Sequence, residues 1–371
     1  MKYVQINTVP NGSTGAVMFR EQEKRLAIGD ECWAMWGRGR AAENDHELNF
    51  GSKLGFYTDV ALTRLDDRAG FHSKAATRRL LAKLDEIDPD IVHLHNLHGY
   101  YVNIEMLFRW LEKRGQKTYW TLHDCWSFTG HCSYFTYVKC EQWKNHCSHQ
   151  FKCPQKKEYP KSCLLDSSKR NFDDKRRIFT SLPADKLRII TPSHWLAGLV
   201  AQSFLSKYPA EVHHNEVDKT VFKPTPSDFR ERYGIGDRFM ILGVASPWTK
   251  RKGLDDFVRL SKGLDDSYAV VLIGLSKKQI KQIDNRIIAL PKTDTVQMLV
   301  EAYTAADVYV QPSSEETFGM TVAEAQACGT SVVVMKGSAC EEIAREELAF
   351  VSDLGFDALK ATVKKTRESR L

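Results

Sequence analysis

The stretch Asp307–Val334, DVYVQPSSEETFGMTVAEAQACGTSVVV, carries a strand, a loop, a helix and a second strand in immediate succession. Asp307–Gln311 is a short β-prone apolar run, and Pro312, Ser313 and Ser314 break it. Thr321–Cys328 suits one to two helical turns, Gly329 is a natural residue to end them, and Ser331–Val334 reads as a second buried strand. A helix so placed aims its N-terminus at the crevice beyond the carboxyl end of a strand. The open N–H groups around Gly319, Met320 and Thr321 then suit a phosphate without any basic side chain. Glu316 and Glu324, with seven residues between them, bracket the turn. Two carboxylates beside a phosphate cradle suit a hydroxyl-rich ligand, and they equally fit a solvated acidic helix start.

Outward from this stretch, the 371 residues are enough for two domains with two cores. Hydrophobic residues at 42% and charged residues at 27% describe an ordinary globular protein. No run approaches the ~18 apolar residues of a membrane span, and Met1–Ile6 reads as a strand rather than a signal peptide, so the expected compartment is the cytoplasm. The net charge of +6 is local. Lys144–Ile178 holds ten Lys or Arg against four acids, which leaves the rest of the chain formally neutral. Five of nine cysteines crowd into residues 132–163, and the odd total argues against a disulfide framework.

In chain order, a β-prone run at residues 3–9 leads through Asn11-Gly12-Ser13-Thr14-Gly15 to a helix-like stretch, Ala16–Ala27. Glu31–Trp36 reads as a strand, Lys74–Ile87 as a helix and Asp90–His95 as a strand ending on polar residues. His93, His95 and His98 are more typical of a strand edge than of a metal set. Lys117–Leu122 is a strand with His123-Asp124 at its carboxyl end, where open α/β sheets bind ligands. Residues 125–177 lack periodicity and read as a loop-rich, core-poor insert. In it Cys132, Cys140, Cys147 and Cys153 interleave with His131, His146 and His149. Four thiolates suffice for a structural zinc, and buried thiols are the competing reading. Strands and helices keep alternating from Phe239 onward, which predicts a second doubly wound domain.

The pattern E-x7-E, with F-G after Glu316 and A-Q-A-C-G-T after Glu324, resembles the donor-site signature of the retaining GT-B glycosyltransferases of family 4. The likeness extends to Thr121-Leu122-His123-Asp124, to Gly12 and Gly15, to Lys252 before Gly253, and to Asn215–Pro224, closest to a polysaccharide-building subgroup. It implies an α/β, GT-B fold, two Rossmann-like domains facing a cleft. The N-terminal acceptor-side domain would span 1–206 with the insert at about 125–177, and the donor domain 207–371. The implied enzyme is a hexosyltransferase that moves a sugar, with retention, from a nucleotide diphosphate sugar to a glycan or lipid-diphosphate-linked acceptor hydroxyl, and it requires no catalytic cofactor.

By the same resemblance Glu316 and His123 are catalytic, while Gly12, Gly15, Arg251, Lys252, Phe318, Gly319, Met320, Thr321 and Glu324 bind the donor. Family members place an Arg five residues before the Lys, where this chain has Pro247, so Arg251 is the candidate substitute. Glu216 stands where the family's hinge has Gly, and a left-handed backbone there would be strained. The insert's cations, Lys156, Lys157, Lys161, Lys169, Arg170, Lys175, Arg176 and Arg177, are expected to dock the enzyme on the anionic inner membrane face. Two rival readings are a GT-B nucleotide-sugar epimerase or hydrolase, and a nucleic-acid or partner-binding protein acting through the basic insert. The second leaves Glu316 and Glu324 without a role, so no nucleic acid is expected.

Overall fold

The computed structural model describes residues 1–148 and 151–369, so His149 lies outside the described residues. The chain divides into two units, Met1–His214 and Asn215–Leu371. The first unit contains β1 (Lys2–Asn7), α1 (Gly12–Ala27), β2 (Glu31–Trp36), β3 (Glu47–Asn49), α2 (Lys53–Asp66), α3 (Lys74–Ile87), β4 (Ile91–Leu94), α4 (Ile104–Arg114), β5 (Lys117–Thr121), α5 (Ser168–Phe179), β6 (Leu187–Thr191), α6 (His194–Ala201) and β7 (Ala210–Val212). Its strands form one sheet in the order β3-β2-β1-β4-β5-β6-β7. Because β7 pairs with β6, this unit runs past residue 206.

The second unit contains α7 (Phe229–Arg232), β8 (Phe239–Val244), α8 (Leu254–Gly263), β9 (Tyr268–Ile273), α9 (Lys277–Gln282), β10 (Ile287–Leu290), α10 (Val296–Ala305), β11 (Val308–Gln311), α11 (Met320–Ala327), β12 (Ser331–Met335), α12 (Ala339–Ile343), β13 (Ala349–Ser352) and α13 (Phe356–Glu368). Its sheet order is β10-β9-β8-β11-β12-β13. Every strand pairing in both sheets is parallel. Parallel sheets need both faces covered, and the alternation along β12 shows how: Val332 and Val334 enter one core, Val333 the other. Strand order reverses beside β1 in the first sheet and beside β8 in the second, and crevices at such switch points are where this fold class binds ligands.

Three expectations change. The insert is not core-poor: Trp126, Phe128, Phe135, Trp143, Phe172 and Phe179 all join the main core of the first unit. It has little regular structure before α5 because short 3-10 turns at Trp126–Phe128, Thr136–Val138 and Gln142–Lys144 carry its aromatics inward. The helix after the first glycine turn begins at Gly12 rather than Ala16, and Gly15 lies inside it, where a Cβ would meet the Pro10 carbonyl carbon at 2.4 Å. Glu216 is absent from the positive-φ residues, so the hinge carries no strain of the kind its missing glycine suggested.

Candidate functional site

In the second unit, the loop after β8 and the loop after β11 flank the switch point and touch. Gly253, with φ 76°, lies so close to Pro312 that a Cβ would sit 2.4 Å from its ring. This contact brings Lys252 Nζ to 2.5 Å from Glu316 Oε1, and Arg251 Nη1 to 3.5 Å from the same oxygen. Arg251 also donates to the Glu315 carbonyl at 2.6 Å, and Gln311 Nε2 reaches Glu316 Oε1 at 3.4 Å. Glu316 is 7% exposed. Burial alone would raise its pKa, but Lys252 and Arg251 outweigh it and hold the carboxyl below the usual range. It is therefore an ionised acid held by two cations at the carboxyl end of β11.

Helix α11 begins at the same place. Gly319 precedes its first residue with φ 94°, and a Cβ there would meet Cys340 Sγ at 2.5 Å, so only glycine makes this turn. No side chain caps the helix, and its first residues are Met320 and Thr321. Thr321 Oγ1 accepts from Tyr309 at 2.7 Å, which fixes the first turn to the strand below, and Phe318 is buried. One helical turn later Glu324 accepts from Tyr303 Oη at 3.1 Å. Burial raises its pKa despite that bond. The two glutamates thus differ in environment: Glu316 is ion-paired and Glu324 hydrogen-bonded to a neutral phenol.

In the first unit, His123 follows β5 and is half-buried. Its Nε2 lies 3.1 Å from His95 Nδ1, and His95 Nε2 lies 3.1 Å from Gln5 Oε1. The Gln5 amide donates to the Met18 carbonyl at 2.9 Å, which leaves its oxygen to accept. His95 must therefore carry its proton on Nε2, and burial drives its pKa far down, so the ring is neutral. It follows that His123 Nε2–H donates to His95 Nδ1. Burial also lowers the His123 pKa, to about 4. His93 is occupied as well, between Tyr3 Oη and Thr121 Oγ1 at 2.7 Å each. The H-x-H spacing at the carboxyl end of β4 is visible in the sequence; the role of Gln5 on the neighbouring strand is not. Gly12, with φ 71°, opens α1 on the same sheet's carboxyl end.

The four cysteines do not assemble as a zinc set. Among the described residues no three of their sulfurs lie within 4.8 Å of one another, whereas Zn–S bonds of ~2.3 Å would bring four sulfurs to roughly 3.8 Å apart. Cys132 and Cys147 are instead packed in the core, with Cys140 against it. Cys147 Sγ accepts from the Gly130 N–H at 3.1 Å, and burial pushes its pKa up to about 12. A hydrogen bond from Cys132 lowers Cys153 to about 7.

Residues 227–366 match the model of the family described as glycosyl transferases group 1. A glycosyl transferase of Escherichia coli K12 named for colanic acid biosynthesis, WcaC, is 28% identical over 221 residues, covering 56% of this chain and 52% of its own. An alpha-galactosylglucosyldiacylglycerol synthase of Streptococcus pneumoniae is 27% identical over 177 residues, covering 42% and 47%. The chain thus spans about half the length of these curated relatives. Among solved structures, sucrose-phosphate synthase of Thermosynechococcus elongatus superposes with a TM-score of 0.70 at 13% identity, over 99% of this chain and 89% of that one. Anabaena HepE in complex with UDP-glucose gives 0.67 at 14% identity, over 100% and 90%. The chain therefore has the GT-B fold, and residues 227–366 of its second unit are similar to the group 1 glycosyltransferases.

Proposed function

We propose that the protein transfers a hexose from a nucleotide diphosphate sugar to a hydroxyl of a glycan or lipid-diphosphate-linked acceptor, with retention, in the building of a surface polysaccharide. The observation that carries this reading is the meeting of Lys252, Arg251 and Glu316 beside the uncapped start of α11, within the matched family region. In such a transfer a diphosphate leaves while the sugar becomes cationic, so fixed positive charge on the phosphates lowers the barrier. Lys252, Arg251 and the amides at Gly319, Met320 and Thr321 supply it. Glu316 holds donor-sugar hydroxyls and steers Lys252, and Glu324 binds the ribose. His123, neutral at pH 7 because burial lowers its pKa to about 4, serves the sugar or the phosphate.

HepE was solved with UDP-glucose, so a nucleotide-sugar panel begins with UDP sugars. Saturating donor at 100 times its Kd is expected to stabilise the protein by about 2.7 kcal/mol. Glu324→Gln is expected to raise the donor KM about tenfold. Glu316→Gln is expected to lower kcat more than it raises KM. No melting shift with any nucleotide sugar, or unchanged kinetics in both variants, overturns the assignment.

Peripheral attachment to an anionic membrane is part of the same proposal, through a surface that keeps only Lys157 and Lys161 of the expected cations. Lys175 is buried, not surface-exposed, because it caps the Trp126 and Thr129 carbonyls from inside the core. Lys169 pairs with Asp173, Arg170 with Asp174, and Arg177 with Glu105 and Asp174. Helix α2, by contrast, buries Asp59 and Thr63 and exposes Leu54, Tyr57, Leu62 and Leu65. The insert runs beside its end, where Cys163 N–H donates to Arg64 O at 2.7 Å and Leu165 N–H to Leu65 O at 3.1 Å, and adds exposed Leu164 and Leu165. Lys53 and Arg64 of α2 and Lys157 and Lys161 of the insert are exposed as well, a composition suited to an anionic bilayer. Liposome co-sedimentation should show binding to anionic vesicles that Leu54→Ser with Leu164→Ser abolishes and Arg176→Glu leaves intact. Retention of binding by the double serine variant refutes this surface.

A further inference from the structure

Three strands of the first sheet, β2, β4 and β5, end in loops that carry Arg38, His98 with Tyr100, and Asp124. The insert returns over this edge and lays Tyr159 on it. Tyr159 Oη is 3.0 Å from His98 Nδ1, and His98 Nε2 is 2.7 Å from Asp124 Oδ2. Asp124 is itself fixed by the Trp126 N–H, which reaches Oδ1 at 2.9 Å. A carboxylate can only accept, so His98 Nε2 donates to it. In the neutral ring Nδ1 then accepts from Tyr159 O–H, and the remaining lone pairs of the phenol oxygen are acceptors for a hydroxyl from outside. Tyr159 remains 44% exposed although its hydroxyl is tethered.

An aromatic wall stands beside it. Tyr100 packs edge-on against Tyr159 with centroids 6.0 Å apart, and Phe56 of α2 lies 6.0 Å from Tyr100. Tyr100 has φ 65°, a left-handed conformation that an aromatic residue adopts only when its surroundings impose it. The imposition is visible one residue earlier. Gly99 presses on Thr8, where a Cβ would meet Cγ2 at 2.4 Å, and Thr8 Oγ1 donates to the His98 carbonyl at 2.6 Å. The Arg38 guanidinium lies 4.7 Å over the Phe56 ring. Its Nε is buried without a hydrogen-bond partner, and among the described residues its side chain makes no ion pair. A half-buried guanidinium next to aromatic faces and a tethered hydroxyl has the composition of a saccharide subsite with an anion-reading group.

We propose that Arg38, Tyr100 and Tyr159, with the phenol held by His98 and Asp124, form an acceptor subsite for a pyranoside that bears an anionic substituent, a carboxylate or a phosphate. The pyranose lies against the Tyr100 and Tyr159 rings, one hydroxyl donates to Tyr159 Oη, and the anionic group meets Arg38. The aperiodic insert thereby acquires a definite function, which is to carry Tyr159 to the edge of the sheet. This assignment rests on the glycosyltransferase reading for its place in the reaction, but binding tests it separately.

The probes are p-nitrophenyl β-glucuronide, p-nitrophenyl β-glucoside and glucose 1-phosphate, titrated onto the full chain by saturation-transfer NMR, with UDP titrated in parallel. At least one anionic probe is expected to bind about tenfold more tightly than the neutral glucoside, and the better of the two identifies the substituent. Arg38→Gln is expected to remove that preference, and Tyr159→Phe to weaken every saccharide about tenfold, with UDP affinity and melting temperature unchanged in both. No saccharide binding by the unaltered protein, equal affinity for charged and neutral probes, or an unchanged Tyr159→Phe overturns the subsite. If UDP fails to bind while the saccharide results hold, the donor reading falls and the subsite stands.

Discussion

Replacing Lys252 by alanine is expected to lower kcat/KM for the nucleotide-sugar donor by about 10²- to 10³-fold, or roughly 3–4 kcal/mol, as loss of one preorganised electrostatic stabiliser does. Nucleotide release measures it. The structure makes the variant's effect composite. Lys252 is the nearer of the two cations on Glu316, so its removal leaves that carboxylate, 7% exposed, with Arg251 at 3.5 Å as its cation and Gln311 as a neutral donor. Part of the loss then belongs to a buried acid that has lost its nearer cation. A double-mutant cycle with Glu316→Gln separates the parts. If the double variant is no worse than Glu316→Gln alone, Lys252 acts only through Glu316. If the losses add, it acts on the donor directly. Arg251→Ala in the same series shows how far Arg251 substitutes for the family's earlier arginine, and wild-type kinetics in Lys252→Ala refute the donor site.

The second large effect concerns stability. Lys175 is 1% exposed, donates to the Trp126 and Thr129 carbonyls at 2.9 and 3.1 Å, and lies 3.4 Å over the Trp126 ring. Burial lowers its pKa to about 7 from the ordinary lysine value of 10.5. Between these two values the unfolded chain holds a proton that the folded chain has released, so stability rises with pH across that window and is level outside it. The gain is on the order of a few kcal/mol. Thiols of raised pKa titrate in the same range with the opposite sign, so the difference between wild type and Lys175→Met isolates the lysine. The advantage of wild type over the variant is expected to grow from pH 7 to pH 10 in urea unfolding. A constant difference shows that Lys175 stays protonated in the core.

These two lysines illustrate what the sequence could convey. Lys252 is legible because Gly253 follows it after a strand and the local chain determines where it goes. Lys175 sits in a run of charges, RNFDDKRR, and nothing local distinguishes it from its solvated neighbours. Its burial depends on Trp126 and Thr129, which arrive from the start of the insert. Helix α2 was hidden for a related reason. Its inward face holds Asp59 and Thr63, with Thr63 Oγ1 donating to Asp59 at 3.1 Å, while leucines face out. Hydrophobic periodicity assumes the opposite polarity. The strands and helices around Glu316 and Glu324 are legible because both faces of a parallel sheet demand apolar runs with sharp polar breaks. The chain of hydrogen bonds from Gln5 to His123 crosses three strands and has no signature along the sequence.

The pairing of Glu316 with Lys252 and Arg251 also determines what a phosphate ligand must do on arrival. The cations are already neutralised in part, so binding is an exchange of one anion for another rather than the filling of an open charge. Affinity then reflects the difference between two ion pairs, and a bare diphosphate gains little by displacing a carboxylate that is covalently tethered in place. The remainder has to come from the sugar and the nucleoside. The proposed donor site is therefore expected to discriminate against small polyphosphates that lack both, without any element built to repel them.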